Sequence, residues 1–244
     1  MNNKQLILFL LPRFSGGGAE RVMLNLLTEL HSSGYSVGVV VFDKDGPLLN
    51  TIPKDIPIHN LAKFTLRRAI VPLVKKIRQL NPKVIFSTFG YINVALLSIR
   101  WFLPQRTKIW IREANLPSIS IPNNPYSKIM NILYWVLYRK ADKLVCTSAR
   151  MKSEFTLDFS VPESIVEILP NPVDVDTIRE LSMPKERFDR GGVCYIAAGR
   201  LTFQKGFDRL LCWFSKLENK KSTLTILGDG VLKDELMRET ESFN

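Results

Sequence analysis

Two cations five residues apart, Arg200 and Lys205, stand in AAGRLTFQKGFDRLL, residues 197–211. Arg200 follows an apolar run, and Lys205 precedes a glycine and a helical pattern. Cations at the carboxyl end of a strand and near a helix N-terminus form a clamp for a diphosphate. Charge-assisted hydrogen bonds and the positive end of the helix dipole then act on the same oxygens. A second phosphate-handling candidate is FSGGGAER, residues 14–21, where Gly16, Gly17 and Gly18 separate an apolar run from a helical pattern. Glycine lets backbone N–H groups approach an anion that a Cβ would hold off. The same three glycines also suit a plain strand-to-helix turn. They do not spell the dinucleotide fingerprint G-x-G-x-x-G, although Asp43, after the next apolar run, stands where a ribose-binding acid would. A third loop, Gly228-Asp229-Gly230, follows the apolar residues 224–227, and LPNPVDVDTI, residues 169–178, holds a rigid Asn-Pro turn.

Such loops need strands and helices to hold them. Residues 6–11 are apolar without interruption, as in a strand buried on both faces. Val22, Met23, Leu26, Leu27 and Leu30 then share one helix face, Gly34 closes the helix, and residues 37–42 form a second strand. Leu66, Ile70, Leu73, Ile77 and Leu80 fit another helix stripe, with Pro72 near its start or at a kink. Strands at 84–87, 108–111 and 144–147 alternate with helices at 93–101 and 129–138. The alternation predicts a doubly wound α/β domain over residues 1–175. Residues 176–192, charged and ending in Gly-Gly, predict a linker. A strand at 193–198, a helix at 207–217, a strand at 224–227 and a helix from about 232 predict the first β-α-β-α of a second Rossmann-like domain, residues 193–244. Two strands do not close a core of this class, so this unit is expected to be partial and marginal.

The hydrophobic share of 45% and charged share of 23% place the 244-residue chain among globular proteins. The net charge of +11 lies almost wholly in the first half: residues 1–120 carry sixteen Lys and Arg against six Asp and Glu. Between Asp55 and Glu113 there are eleven bases and no acid. Such a field draws phospholipid head groups, phosphorylated substrates or nucleic acid, or simply keeps the face solvated. No nucleic-acid reading motif accompanies it, so nucleic acid is not expected as a partner. Residues 63–83, with seven cations and an apolar stripe, have the pattern of an interfacial helix or of a plain solvated one. Residues 126–140, apolar almost all round, suit a core helix or a membrane contact. The longest uncharged run, residues 84–99, is too short to span a bilayer. Cys146, Cys194 and Cys212 lack metal or redox spacing and read as buried reduced thiols of a cytosolic protein. His31 and His59 pair with nothing, and no metal is expected.

GGGAERVMLNLLTELHSSGYSVGVVV, NPVD, GRLTFQKGFDRLL and ILGDGVLKDEL, in this order, resemble the family 4 retaining glycosyltransferases across nearly the whole chain. The resemblance implies a GT-B fold, with an acceptor-side amino-terminal domain and a donor-side carboxyl-terminal one. It implies that Arg200 and Lys205 hold the diphosphate of a nucleotide sugar, that Gly16–Gly18 face it, and that Gly228, Asp229 and Gly230 line the nucleotide side. The nucleotide sugar is then a substrate, and no cofactor is expected. Members also carry two glutamates eight positions apart, late in the second domain; no such pair occurs here. Many carry a histidine near the acceptor, where this chain reads IREANLP, residues 111–117. Glu113 and Asn115 are the candidates for acceptor contact there, or equally a loop-capping pair. No nucleophile or catalytic base can be named. The implied activity is hexose transfer to a glycan or lipid-linked acceptor in cell-surface polysaccharide synthesis, in the cytoplasm and at the inner face of the plasma membrane. The alternatives are a truncated, inactive chain that only binds acceptor or membrane, and a dinucleotide oxidoreductase, against which the incomplete glycine fingerprint speaks.

Overall fold

The computed structural model describes residues 5–63, 65–182, 192–218 and 221–242. The chain divides into two compact units, residues 1–177 and 178–244.

In the first unit the elements run β1 (Ile7–Leu11), α1 (Gly18–Ser32), β2 (Val37–Val41), β3 (Ile58–Asn60), α2 (Leu66–Leu80), β4 (Val84–Thr88), α3 (Gly90–Ser98), β5 (Lys108–Arg112), α4 (Pro117–Ser120), α5 (Ser127–Leu137), β6 (Lys143–Cys146), α6 (Ala149–Leu157) and β7 (Val166–Ile168). The seven strands form one parallel sheet in the order β3-β2-β1-β4-β5-β6-β7. Consecutive side chains point to opposite faces, so each strand serves two cores. Phe9, Leu11, Val37, Val39 and Val41 meet Met23, Leu24 and Leu27 of α1. Leu8, Leu10, Val40, Ile85, Ile109 and Ile111 meet α2, α3, α5 and α6 on the other side. This double covering explains why β1 and β2 are apolar throughout. β5 differs: Lys108 and Trp110 are exposed while Ile109 and Ile111 are buried, so one face of the sheet is open there.

Gly34, at φ 84°, ends α1 as expected of a left-handed C-terminal glycine. Pro72 lies within α2, in its second turn. The stripe of α2 is not free to meet a membrane: Ala69, Leu73 and Ile77 are buried in the core, with Leu66, Ile70, Val74 and Leu80 packed beside them. The reading of residues 63–83 as an interfacial helix is therefore corrected. The short β3, α4, α6 and β7 carry too few periodic residues to be read as elements beforehand. The linker expected at 176–192 begins instead as a helix, α7 (Val175–Leu181). The Asp174 carboxylate starts it by accepting from the Thr177 N–H and hydroxyl at 3.0 and 2.8 Å, the action of an N-cap. Residues 183–191 of that stretch lie outside the described residues.

The second unit contains β8 (Cys194–Ala198), α8 (Phe207–Ser215), β9 (Thr223–Leu227) and α9 (Lys233–Ser242), with β8 and β9 paired in parallel. Leu201, Phe207, Leu211 and Leu236 form its small core, and Ile196 and Leu227 are exposed on the strands. Of the three cysteines only Cys146 is buried; Cys194 and Cys212 are exposed, which corrects the expectation of three buried thiols. Cys194 belongs to the exposed alternate residues of β8, and Cys212 lies on α8 outside its buried positions Phe207 and Leu211. No helix among the described residues is long and apolar enough to cross a membrane.

Candidate functional site

Helices return over the sheet, so loops at the carboxyl ends of the strands are where α/β proteins bind ligands, above all where strand order reverses. Here the reversal falls between β1 and β4. Gly16, Gly17 and Gly18 follow β1 at that point. Their backbone does not itself demand glycine: Gly17 has φ −74°, a Cβ on Gly18 would meet nothing within 4 Å, and one on Gly16 would make only ordinary contact with Pro47. No side chain caps α1, so its first-turn amides lack partners within the helix. The buried Glu20 carboxylate lies beside Gly17 in that first turn. It would compete with an incoming phosphate for the positive end of the helix.

The next loop braces this one. Phe14 donates its N–H to the Asp45 carbonyl at 2.9 Å, and Leu48 donates to the Phe14 carbonyl at 3.2 Å. Gly46, at φ 128°, must be glycine, since a Cβ would fall 2.1 Å from the Phe14 carbonyl oxygen. Arg13 and Asp43 form an ion pair at 3.8 Å and, with Lys63 and Tyr91, line a depression of about 130 Å³. Burial raises the Tyr91 phenol above its ordinary pKa, and Glu20 adds to the effect. On the β4 side of the reversal, Phe89 holds φ 77°, a strained conformation for a bulky residue of the kind that gathers at functional sites.

Farther along the same edge lies a buried polar cluster. Ser87 donates to Asn93 Oδ1 at 2.7 Å; Asn93 Nδ2 donates to the Arg112 carbonyl at 2.9 Å and to Glu113 Oε1 at 2.8 Å. The same Glu113 oxygen accepts from Tyr138 and, at 3.4 Å, from Tyr134. Tyr134 and Tyr138 stack with centroids 4.1 Å apart, and Tyr138 stacks on Phe155 at 5.3 Å. Glu113 is only 4% exposed. Burial pushes its carboxyl up to about 7, against the pull of the three donors and Arg112. The expectation that Glu113 touches an acceptor is corrected: its carboxylate faces inward and ties α3 and α5 to the end of β5. Asn115 is exposed at that edge. Arg112 is buried, donates to Thr88 Oγ1 at 3.2 Å and to Asn171 Oδ1, and so joins β4 and β5 to the Asn-Pro turn after β7. Sequence reading missed Asn93, Tyr134 and Tyr138. Their signal was there only in part, as a charged pair, Arg112-Glu113, ending a strand.

In the second unit the structure brings the expected residues together. Arg200 follows β8, and Gly228, Asp229 and Gly230 follow β9. The two loops are laced: Gly199 donates to Leu227 and Leu201 to Asp229, each at 2.9 Å. Gly228 permits this approach, because a Cβ would lie 1.9 Å from the Gly199 carbonyl oxygen. Gly230, at φ 157°, meets the Leu201 backbone in the same way. Lys205 ends a turn at residues 203–205, with its side chain 3.7 Å from the Cβ position of Gly199. Gly206, at φ 68°, turns the chain into α8. Arg200 and Lys205 are exposed, and among the described residues no carboxylate pairs with either. Asp229 is exposed, 3.9 Å from Lys233. Two exposed cations and the start of a helix thus share one strand-end loop, an arrangement suited to a diphosphate. No three His, Cys, Asp or Glu side chains gather into a metal site among the described residues.

The chain as a whole is similar to known glycosyltransferases. A Campylobacter jejuni N-acetylgalactosamine-N,N'-diacetylbacillosaminyl-diphospho-undecaprenol 4-alpha-N-acetylgalactosaminyltransferase is 28% identical, over 93% of this chain and 64% of its own length. An amylovoran biosynthesis glycosyltransferase of Erwinia amylovora is 24% identical, over 94% and 63%. The chain spans about half to just under two thirds of the curated relatives it matches. An Anabaena protein solved with UDP and glucose superposes with a TM-score of 0.70 at 17% identity, covering 98% of this chain and 66% of that one. The fold is of the GT-B type shared by such neighbours. The profile of Glycosyltransferase Family 4 matches residues 16–177, two thirds of the sequence, and the chain belongs to that family.

Proposed function

We propose that the protein transfers a hexose, with retention, from a nucleotide sugar to a glycan or lipid-linked acceptor in cell-surface polysaccharide synthesis. The observation that carries this reading is the pair of exposed cations, Arg200 and Lys205, beside the laced glycine loops of β8 and β9. As the bond between sugar and diphosphate breaks, negative charge grows on the leaving oxygen. Fixed cations stabilise that charge more than the ground state, which is how electrostatic catalysis lowers a barrier. Asp229 and the amides of its loop lie beside the loop of Arg200 and would line the nucleotide side. In the first unit the acceptor would be held at the carboxyl edge, by the depression at Arg13, Lys63 and Tyr91 and by Asn115. Gly16–Gly18 would contribute amides there. Orientation of the acceptor hydroxyl is the first unit's share of the catalysis.

The names of the relatives support the chemistry. One acts on a diphospho-undecaprenol-linked sugar, and another serves amylovoran biosynthesis. The test is turnover with a panel of uridine- and guanosine-diphosphate sugars and a polyprenyl-diphosphate-linked acceptor. Transfer that is lost in Arg200→Ala and Lys205→Ala supports the reading. Absence of transfer from every donor, alongside intact folding, leaves a chain that binds without catalysing.

A further inference from the structure

The field of the first unit is more one-sided than its net charge suggests. Between Asp55 and Asp142 the sequence holds fourteen Lys and Arg and a single acid, Glu113. Glu113 is buried, so this stretch places no carboxylate on the surface. Within it, α5 has two apolar sides. Tyr134 and Leu137 are buried, with Met130 and Leu133 packed against the same core. On the outer side Ile129, Ile132 and Trp135 are 56%, 62% and 47% exposed, and Val136 is exposed beside them. Residues 129, 132 and 136 form one helical row, and 128, 132, 135 and 139 the next. The second row begins and ends in a cation, Lys128 and Arg139. Arg139 lies over the Trp135 ring, 4.2 Å from its centroid, so the pair is presented together. Arg100 donates to the Lys140 carbonyl at 3.0 Å, and the two residues that follow it, Trp101 and Phe102, are exposed.

We propose that the outer face of α5 docks on an anionic lipid bilayer, with Ile129, Ile132, Trp135 and Val136 entering the head-group boundary and Lys128, Arg139 and Lys140 meeting the lipid phosphates. Scattered exposed apolar residues are ordinary, but a contiguous helical row bounded by cations and free of acids has the chemistry of an interfacial helix. A protein partner would have to match both an apolar ridge and the cations at its two ends; an anionic membrane does so everywhere on its surface. The assignment falls on α5 and not on α2, whose apolar stripe is already buried. It rests on the proposed function only for its purpose, which is to hold the enzyme where a lipid-linked acceptor lies.

The test is co-sedimentation of the 244-residue chain with phosphatidylcholine vesicles, with and without phosphatidylglycerol. Binding should require the anionic lipid and weaken with salt. Ile129→Ser with Ile132→Ser should lower apparent affinity at least about tenfold, with an unchanged circular dichroism spectrum. Each of Lys128→Gln, Arg139→Gln and Lys140→Gln should lower it roughly fivefold. Arg67→Gln with Arg68→Gln on α2 should do less. Brominated lipid should quench wild-type fluorescence more than that of Trp135→Phe. Equal binding to neutral vesicles, no binding at all, wild-type binding by the α5 variants, or a dimer that forms through α5 in place of lipid binding would each overturn the proposal. Nucleotide affinity measured on the same variants keeps this outcome separate from that of the donor-site reading.

Discussion

Replacing Glu113 by Gln should change how the stability of the first unit depends on pH. The buried Glu113 carboxyl titrates at about 7, against an ordinary value of 4.5. Its folded-state pKa is raised, so the native chain binds the proton more tightly than the unfolded chain does. Between pH 4.5 and 7 the native state is protonated and the unfolded state is not, and stability falls as pH rises through that window. Each pH unit costs about 1.36 kcal/mol, so the whole window amounts to about 3 kcal/mol. Above pH 7 both states are ionised and the term is flat. The substituted amide would keep an oxygen to accept from Asn93, Tyr134 and Tyr138 while removing the titration. The assay is urea unfolding of wild type and variant from pH 4.5 to 8.5, followed by near-ultraviolet circular dichroism of the stacked Tyr134, Tyr138 and Phe155 rings. The difference, wild type minus variant, should decline by up to about 3 kcal/mol and then level off. A difference independent of pH, or one that grows in favour of wild type, would refute the buried, proton-holding Glu113.

Tyr138→Phe removes one donor from that carboxylate and should cost about 1.5–3 kcal/mol at pH 8, with a smaller loss at pH 5, read by the same unfolding. Gly228→Ala forces a Cβ to within 1.9 Å of the Gly199 carbonyl oxygen. It should disorder the loop that carries Arg200, seen as faster amide exchange at Leu201 and Leu232 and weaker nucleotide binding. Wild-type hydrogen exchange should be slow in β1, β2 and β4–β6, which are paired on both sides. It should be fast in β8 and β9, which pair only with each other among the described residues and share a core of four buried apolar residues; uniformly slow exchange would contradict this.

Most strands and long helices were legible because both faces of a parallel sheet are buried and its helices carry a 3.6-residue stripe. The apolar runs at 6–11 and 37–42 and the Leu66–Leu80 stripe emerged within a residue of their observed bounds. The three-residue β3 and β7 were too short to carry a period, and α7 was hidden by its exposed, charged composition. The strand-end position of Arg200 and Lys205 was legible because glycine, cation and helix start are adjacent in sequence. The Glu113 cluster was not, since Asn93 and Tyr138 reach Glu113 from 20 and 25 residues away and meet it only through packing. The outer face of α5 was ambiguous for a related reason. An all-apolar helix gives no sign of which side the core will take.

Calorimetric titration of the chain with uridine- and guanosine-diphosphate sugars tests the central claim most directly. At least one should bind, and Lys205→Ala should weaken it by about 1.5–3 kcal/mol, roughly ten- to a hundredfold, with Arg200→Ala doing the same and neither altering the circular dichroism spectrum. Unchanged donor affinity in both variants would contradict the assignment of a diphosphate clamp to Arg200 and Lys205.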